Sequence, residues 1–318
     1  MRIPKVLLSF IVAIASVNSA VAQPNVVASI KPIHSLVSSV MEGVATPLLL
    51  VEAGSPHTYS MKPSQAKYLQ DADAIFWVAH DVETFLKKPL ESIAKNTVVV
   101  KLGETQGLVE LSFREGGLFD SHDDDHDKHD DHDKHDDHAK HDDHGHGEHD
   151  PHYWLDPVNA KVMVRAIERQ LASIDPVNAA RYESNAKKTE AGLDELLAEI
   201  KAELSGLQSS EFIAFHDAYQ YFENRFGVKA IGTVTVTPDV MPGAKRLAEL
   251  REKVKGSNAT CIFSEPQFEP KLINAITEGT SARTGVLDPL GAELKPGTDL
   301  YPALIRQMAK ALKDCLSS

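Results

Sequence analysis

Positive charge is scarce in this chain, and most of the negative charge is confined to one segment. The 318 residues include 33 Lys and Arg against 46 Asp and Glu, for a formal net charge of −13. Residues 120–150 hold fourteen of these acids and three lysines, so this segment alone carries −11. The rest of the chain is nearly neutral and offers no basic face for a nucleic acid. We therefore predict no nucleic-acid partner.

Long apolar runs are also lacking, except at the start of the chain. Arg2 and Lys5 precede the apolar run 6–15, and small residues at 20–22 supply a cleavage point, which is the pattern of a secretory signal peptide over residues 1–22. No Cys follows this run, which argues against a lipid anchor, and no later stretch of about 20 apolar residues could span a bilayer. We expect an exported, soluble protein that begins at Gln23.

Cysteine is limited to two residues, Cys261 and Cys315. In an oxidising compartment two cysteines can pair, and closing a loop of this length would stabilise the fold by roughly 4 kcal/mol. The pattern favours a disulfide that ties the last helix to a strand. Two buried free thiols or a cysteine metal site remain the alternatives.

Histidine, in contrast, is concentrated in one acidic tract. Residues 126–135 contain no apolar residue to bury and cannot offset the entropy of ordering, so we expect a solvated loop over about 120–150. Imidazoles and carboxylates every two to four residues form a dense set of ligands for divalent metals, zinc foremost. A plain solvated linker would need no histidine. The tract therefore predicts auxiliary zinc sites on His122, His126, His129, His132, His135, His138, His141, His144, His146 and His149.

Strand-like and helical patterns alternate through the rest of the chain. β-branched or apolar runs predict strands at 25–30, 46–51, 74–79, 97–101, 212–215, 228–236, 260–264 and 284–287. Helical spacing fills the intervals, and an uninterrupted pattern over 176–206 predicts one helix of about 45 Å. This favours an α/β fold with two four-stranded parallel-sheet (β/α)4 domains and a ligand cleft at the carboxyl ends of the strands. We place the N-terminal domain at 23–174, the linking helix at 175–207 and the C-terminal domain at 208–318.

Three histidines outside the tract lie at predicted strand ends or loops. His57 follows the second strand, His216 follows the fifth and His152 precedes the Asp156-Pro157 helix start. Three histidines with a carboxylate or water in the fourth position are a common zinc arrangement, and Asp288, just past the last strand, is the candidate carboxylate. His34 and His80 are interpreted instead as exposed residues at helix starts.

Several sequence segments occurring in order resemble the periplasmic zinc-binding protein of the bacterial zinc-uptake ABC importer. They are Pro56-His57-Thr58-Tyr59, the Asp/His tract ending in His152-Tyr153-Trp154-Leu155-Asp156-Pro157, Phe215-His216-Asp217-Ala218-Tyr219, Ser264-Glu265-Pro266-Gln267 and Leu287-Asp288-Pro289-Leu290-Gly291. The resemblance implies two four-stranded α/β domains joined by a long helix, with the metal in the interdomain cleft. It implies ligands at His57, His152 and His216, with water or a carboxylate fourth. Some zinc members carry Glu beside the first His, where this chain has Pro56, so a water or Asp288 is expected there.

The same resemblance implies a function. The expected protein is a periplasmic monomer that binds Zn²⁺ as cargo and delivers it to an inner-membrane ABC permease, with a periplasmic zinc chaperone as a further partner. A manganese- or iron-binding member of the same transport family is an alternative, although related manganese binders carry a carboxylate where this chain has His216. A zinc buffer built on the tract is another alternative. A zinc hydrolase is the least favoured, because the sequence has no His-Glu-x-x-His helix, so we predict no enzymatic activity.

Overall fold

The architecture is two parallel sheets flanked by helices. A computed structural model of the chain describes residues 23–92, 97–114, 149–208, 210–235, 238, 242–256, 261–268 and 271–317. The predicted signal peptide and all but the last histidine of the tract lie outside these residues. Within the described residues no helix has the length and apolar content needed to cross a membrane.

The first sheet consists of β1 (Val26–Ile30), β2 (Leu48–Val51), β3 (Ala74–Trp77) and β4 (Val98–Lys101), in the order β2-β1-β3-β4. All its strands are parallel, with Val27 opposite Leu48, Val26 opposite Ala74 and Ala74 opposite Val98. Helices α1 (Lys31–Val40), α2 (Pro63–Gln70) and α3 (Lys87–Ser92) connect these strands. The central strands β1 and β3 are fully buried, as expected of strands covered on both faces.

The second sheet repeats this order in the later part of the chain. Strands β5 (Glu211–Ala214), β6 (Lys229–Thr233), β7 (Cys261–Ser264) and β8 (Arg283–Val286) pair in the order β6-β5-β7-β8, again all parallel. The helices of this half are α6 (Gln220–Phe226), α7 (Ala244–Gly256), α8 (Lys271–Thr277) and α9 (Leu300–Leu316). The predicted fold class, with four strands in each sheet, is confirmed.

Two long helices lie between the sheets in sequence. Helix α4 (Pro157–Ile174) begins at the Asp156 N-cap, whose carboxylate accepts from the backbone N–H of Val158. Helix α5 (Ala179–Glu203) has 25 residues and so extends about 37 Å. It begins three residues later than the predicted 176–206 because Pro176–Asn178 forms a separate 3-10 turn, and it ends three residues earlier, at Glu203. Here the Asp175 carboxylate accepts from the Asn178 amide and the Tyr182 hydroxyl.

A continuous apolar core joins the two sheets. It runs from Phe76 of the first sheet through Tyr182 of α5 and Leu304 of α9 to Phe212 of the second sheet. Helix α9 follows the second sheet in sequence but packs on both α1 and α5. Opening the two halves as rigid bodies would expose this shared apolar surface to water, which is unfavourable.

The predicted domain boundaries, at residues 174, 207 and 208, remain predictions.

The predicted disulfide is confirmed. Cys261 at the start of β7 is bonded to Cys315 in the last turn of α9, with 6.1 Å between their Cα atoms. Both side chains are buried. The alternatives of two free thiols or a cysteine metal site are therefore wrong.

Candidate metal centre

His57 lies in a short 3-10 helix, Pro56–Thr58, that follows β2. Pro56 fixes the first position of this turn, since the proline ring presets the backbone angle. The Nδ1 of His57 lies 3.0 Å from the backbone oxygen of Asp81, in the turn after β3. Because a carbonyl can only accept, Nδ1 carries the hydrogen and Nε2 is left with a lone pair.

His152 lies in the segment that leads from the tract to α4. Its Nδ1 is 2.7 Å from an oxygen of the Asp150 carboxylate, and the same oxygen accepts from the backbone N–H of His152 at 2.9 Å. Both residues are buried, with 5% and 1% of their surfaces exposed. This double contact fixes the ring and again leaves Nε2 as the nitrogen with a lone pair.

His216 follows β5 in the second sheet. Its Nδ1 is 2.6 Å from an oxygen of Glu265, which directly follows β7 and also accepts from the Tyr219 hydroxyl at 3.0 Å. Strands β5 and β7 are parallel neighbours, so their carboxyl ends meet and bring this acid beside the histidine. Glu265 is only 2% exposed, which makes its ionic hydrogen bond to the ring strong.

The three imidazoles converge at one point between the sheets. Each of His57, His152 and His216 offers a ring nitrogen within 4.8 Å of the other two. The Nε2 atoms of His152 and His216 are 3.4 Å apart. Tetrahedral zinc with Zn–N bonds of 2.0–2.1 Å separates its nitrogen ligands by about 3.4 Å. Among the described residues, the three ring nitrogens are therefore close enough together that they could hold one metal ion.

Burial affects the protonation of the two buried rings differently. At His152 burial, followed by the neighbouring His216, holds the pKa well below its ordinary value. At His216 burial acts in the same direction, but the carboxylates of Glu265, Asp217 and Asp150 together outweigh it and the pKa is raised. His152 is therefore kept as the neutral imidazole that binds metal. A metal ion at His216 competes with a more strongly held proton.

The space between the rings is small. The cavity has a volume of about 10 Å³, on the order of one water-sized sphere. Trp154, Phe268 and Leu290 form apolar walls, and the Trp154 indole N–H is held by the backbone oxygen of Pro289 at 2.8 Å. A single ion fits between the rings.

Asp288 lies near the centre but is not part of the group of ligand atoms. Its carboxylate accepts from the backbone N–H groups of Leu290, Gly291 and Ala292 and from the side-chain amide of Gln267. A carboxylate held by four donors stabilises the loop after β8. The structure therefore gives no support to Asp288 as the fourth ligand.

The remaining histidines lie elsewhere. His34 is buried on α1, where its Nε2 contacts the backbone oxygen of Pro47 at 3.0 Å, and is not exposed as expected. His80 lies in the turn after β3 and not at a helix start, is partly buried and not exposed as expected, and is outside the ligand group. His149 forms an isolated antiparallel bridge with Ser112 at the base of the tract. The other nine tract histidines lie outside the described residues, so their predicted zinc sites remain predictions.

The base of the tract is tied to the second sheet. The Arg114 guanidinium binds the carboxylates of Asp217, which adjoins His216, and of Glu223 on α6. The Gln220 amide bridges the backbone oxygen of Ser112 and the Asp150 carboxylate, at 3.1 and 3.3 Å. These contacts hold the segments carrying His152 and His216 against each other.

Sequence reasoning missed the two carboxylates that orient the buried rings. Glu265 stands directly after a strand, and that position was a signal that could have indicated a role at the site. Asp150 offered no such signal, because it is one acid among fourteen in residues 120–150. Histidines that bind metal usually donate their other nitrogen to such a group, but the sequence does not indicate which acid is close.

Glu265→Ala is expected to weaken zinc binding by about 10–100-fold, because the His216 ring loses the acceptor that orients it. Glu265→Gln should lose less, since its amide oxygen can still accept from Nδ1. Competition with a fluorescent zinc chelator measures both affinities. Glu195→Ala, an exposed acid on α5, is the control and should match the parent protein. Equal affinities for Glu265→Ala and the control would contradict the orienting role.

Comparisons with known proteins identify zinc-uptake proteins as relatives of this chain. The family model described as "ZnuA: Zinc-uptake complex component A periplasmic" matches residues 26–315. A "High-affinity zinc uptake system protein ZnuA" of Brucella suis biovar 1 (strain 1330) is 52% identical over 322 residues, covering 97% of this chain and 96% of that protein. A crystal structure of ZnuA aligns with a TM-score of 0.75 and 25% identity over 93% of this chain and 100% of that one. A zinc-bound ZnuA deletion mutant aligns with a TM-score of 0.74 and 25% identity, covering 93% of this chain and 99% of that one.

Proposed function

This chain belongs to the ZnuA family of periplasmic components of zinc-uptake complexes, and from that premise we propose that it holds one Zn²⁺ on His57, His152 and His216 and delivers it to an inner-membrane ABC permease. The observation that carries the proposal is the convergence of three ring nitrogens within 4.8 Å. Each ring has its Nδ1 held by an acceptor. The fourth position is filled by water.

The ligand set supports zinc over manganese or iron as cargo. Imidazole nitrogens suit zinc, whereas carboxylate oxygens suit manganese. The centre presents three imidazoles, and Asp288 is held by backbone N–H groups instead. A manganese-binding member would require a carboxylate among the ligand atoms.

Release by local movement of loops fits the structure better than a wide hinge opening. The two halves share one core, and the Lys31 ammonium of α1 donates to the backbone oxygens of Gly291, Ala292 and Leu294 beyond β8. His57 is the most exposed of the three ligands and lies on a short turn. We propose that the protein binds the permease as a monomer. The permease then moves this turn first and so frees the ion.

Binding of cargo, without catalysis, is the proposed activity. The oxygen of Glu265 that faces His216 is engaged by that ring and by the Tyr219 hydroxyl, so it is not available to act as a base. The tract is proposed to gather additional zinc, and a periplasmic zinc chaperone is proposed as a further partner.

Because the proposed activity is binding without catalysis, activated esters should be hydrolysed no faster with the zinc-loaded protein than with zinc alone.

Deleting residues 121–148 is expected to leave one tight zinc site per chain and to remove only the weaker ones. The three histidines lie outside the deleted segment, and the described residues on either side of it, Ser112 and His149, are bridged to each other. Titration calorimetry of the full-length mature chain and of the deletion variant measures the number of sites and their affinities.

A variant with residues 121–148 replaced by Gly and Ser at equal length controls for the shortened connection. It should also keep one tight site. Loss of the tight site in both variants would reject the cleft histidines as the cargo site and favour a buffer built on the tract.

A further inference from the structure

Gln267 lies in the wall of the metal-site cavity but is not one of its ligands. It follows Glu265 by two residues and lines the cavity together with the three imidazoles. It also borders a second small cavity beside Lys31 and Glu52. Its side-chain amide therefore lies between the metal centre and the loop after β8.

Asp288 fixes which way this amide points. The Gln267 Nε2 donates to Asp288 Oδ1 at 3.0 Å, and that oxygen also accepts from the N–H groups of Leu290 and Gly291. Reversing the amide would bring its oxygen against the carboxylate and lose this bond. The Oε1 atom must therefore face away from Asp288.

The Oε1 atom of Gln267 is buried and accepts no hydrogen bond from the described residues. Buried polar atoms in folded proteins nearly always have a partner, because leaving one unpaired is unfavourable. The described residues supply no side-chain or backbone donor to this oxygen, so its hydrogen-bond donor must come from elsewhere. The metal centre provides a place for such a donor.

Three imidazoles leave one position open on a tetrahedral zinc ion, and Gln267 lines the same cavity as the three rings. A water on zinc has two polarised O–H groups, and the ligand rings cannot accept from them once each Nε2 binds zinc. We propose that Gln267 Oε1 accepts a hydrogen bond from the water in the fourth position, and that Asp288 acts by orienting the Gln267 amide. The inference rests on the proposed function, since it requires zinc on the three histidines.

An acceptor at this place has a consequence for selectivity. Zinc held by three neutral imidazoles keeps a charge of +2 and would attract an anion to the open position. The Gln267 oxygen can bind water, which donates, but it repels an anion such as azide, which only accepts. Gln267 therefore favours water over an anion in the fourth position, so the three rings are the only other ligands of the zinc.

Cobalt provides a spectroscopic test of this arrangement. The full-length chain is loaded with one equivalent of Co²⁺, and azide binding is followed by the visible absorption of the cobalt. Gln267→Met keeps the length of the side chain but removes the acceptor, so azide should bind at least about tenfold more tightly than in the parent protein. Zinc affinity without azide should fall by about threefold to tenfold, because one hydrogen bond to the bound water is lost.

Asp288→Asn tests the orienting role. An asparagine can donate to Oε1, so the Gln267 amide can reverse and present its NH₂ to the open position. Azide binding should tighten in Asp288→Asn, and the double variant should bind azide no more tightly than Gln267→Met alone. Gln307→Met, an exposed glutamine on α9, is the matched control and should bind azide as the parent protein does.

The outcomes separate the two proposals. Unchanged azide binding in Gln267→Met, with tight zinc binding retained, overturns the role of Gln267 and leaves the proposed function standing. Absence of a tight zinc site in the parent protein overturns both. If Gln267→Met does not fold, a crystal structure of the zinc-loaded parent decides: a zinc-bound water within about 3.2 Å of Oε1 is expected. A water beside Lys31 in contact with Oε1 instead would overturn the inference.

Discussion

Replacing His152 with alanine is expected to abolish tight zinc binding, with a loss of affinity of more than about 100-fold. Removing only the partner that orients a ligand already costs about 10–100-fold, and this change removes the ligand itself. The two rings that remain, His57 and His216, would hold zinc with two positions open to water. His57→Ala and His216→Ala should give losses of the same order, because each supplies one nitrogen of the set. Chelator competition measures all three affinities.

His34→Ala is the matched control for this experiment. His34 and His152 are each 5% exposed, so both substitutions remove a buried imidazole, but His34 is outside the ligand group. The control should lose some stability, through its bond to Pro47, and keep full zinc affinity. Circular dichroism on both variants separates unfolding from loss of the site. A tight one-to-one site that persists in folded His152→Ala would reject the ligand assignment.

Removing the disulfide is expected to have the largest effect on stability. Cys261 and Cys315 are 54 residues apart, and releasing a closed loop of that length costs about 4 kcal/mol of unfolding free energy in the chain-entropy model. The bond joins β7, a central strand of the second sheet, to the last turn of α9. Denaturant unfolding of the zinc-free Cys261→Ser, Cys315→Ser double variant measures the difference.

Zinc affinity should change little in the same double variant. Cys261 begins β7, and Glu265 follows its other end four residues later, about 13 Å away along an extended strand. The parent protein treated with a reductant should unfold like the double variant, since both lack the same bond. A stability difference below about 1 kcal/mol would show that the core holds α9 in place without the disulfide.

Much of the fold was predictable from local patterns. Each of the eight predicted strand runs overlaps an observed strand, because β-branched runs bounded by turns are typical of buried parallel strands. The start of α4 was predicted from Asp156-Pro157, and the structure places the Asp156 carboxylate on the N–H of Val158. The start of α5 was wrong by three residues, since the side-chain contacts of Asp175 with Asn178 and Tyr182 favour a separate turn there.

The sequence by itself determined the alternating α/β pattern, the number of cysteines available to pair and the three histidines outside the tract that lie at strand ends or loops. Only the tertiary structure decided that those rings meet within 4.8 Å, that Asp150 and Glu265 hold two of them, and that Asp288 caps a loop and orients Gln267. The physical reason is the distance along the chain over which each property is determined. Strand and helix patterns depend on neighbours a few residues apart, whereas a metal centre depends on atoms from both sheets, whose distances are set by the packing of the shared core.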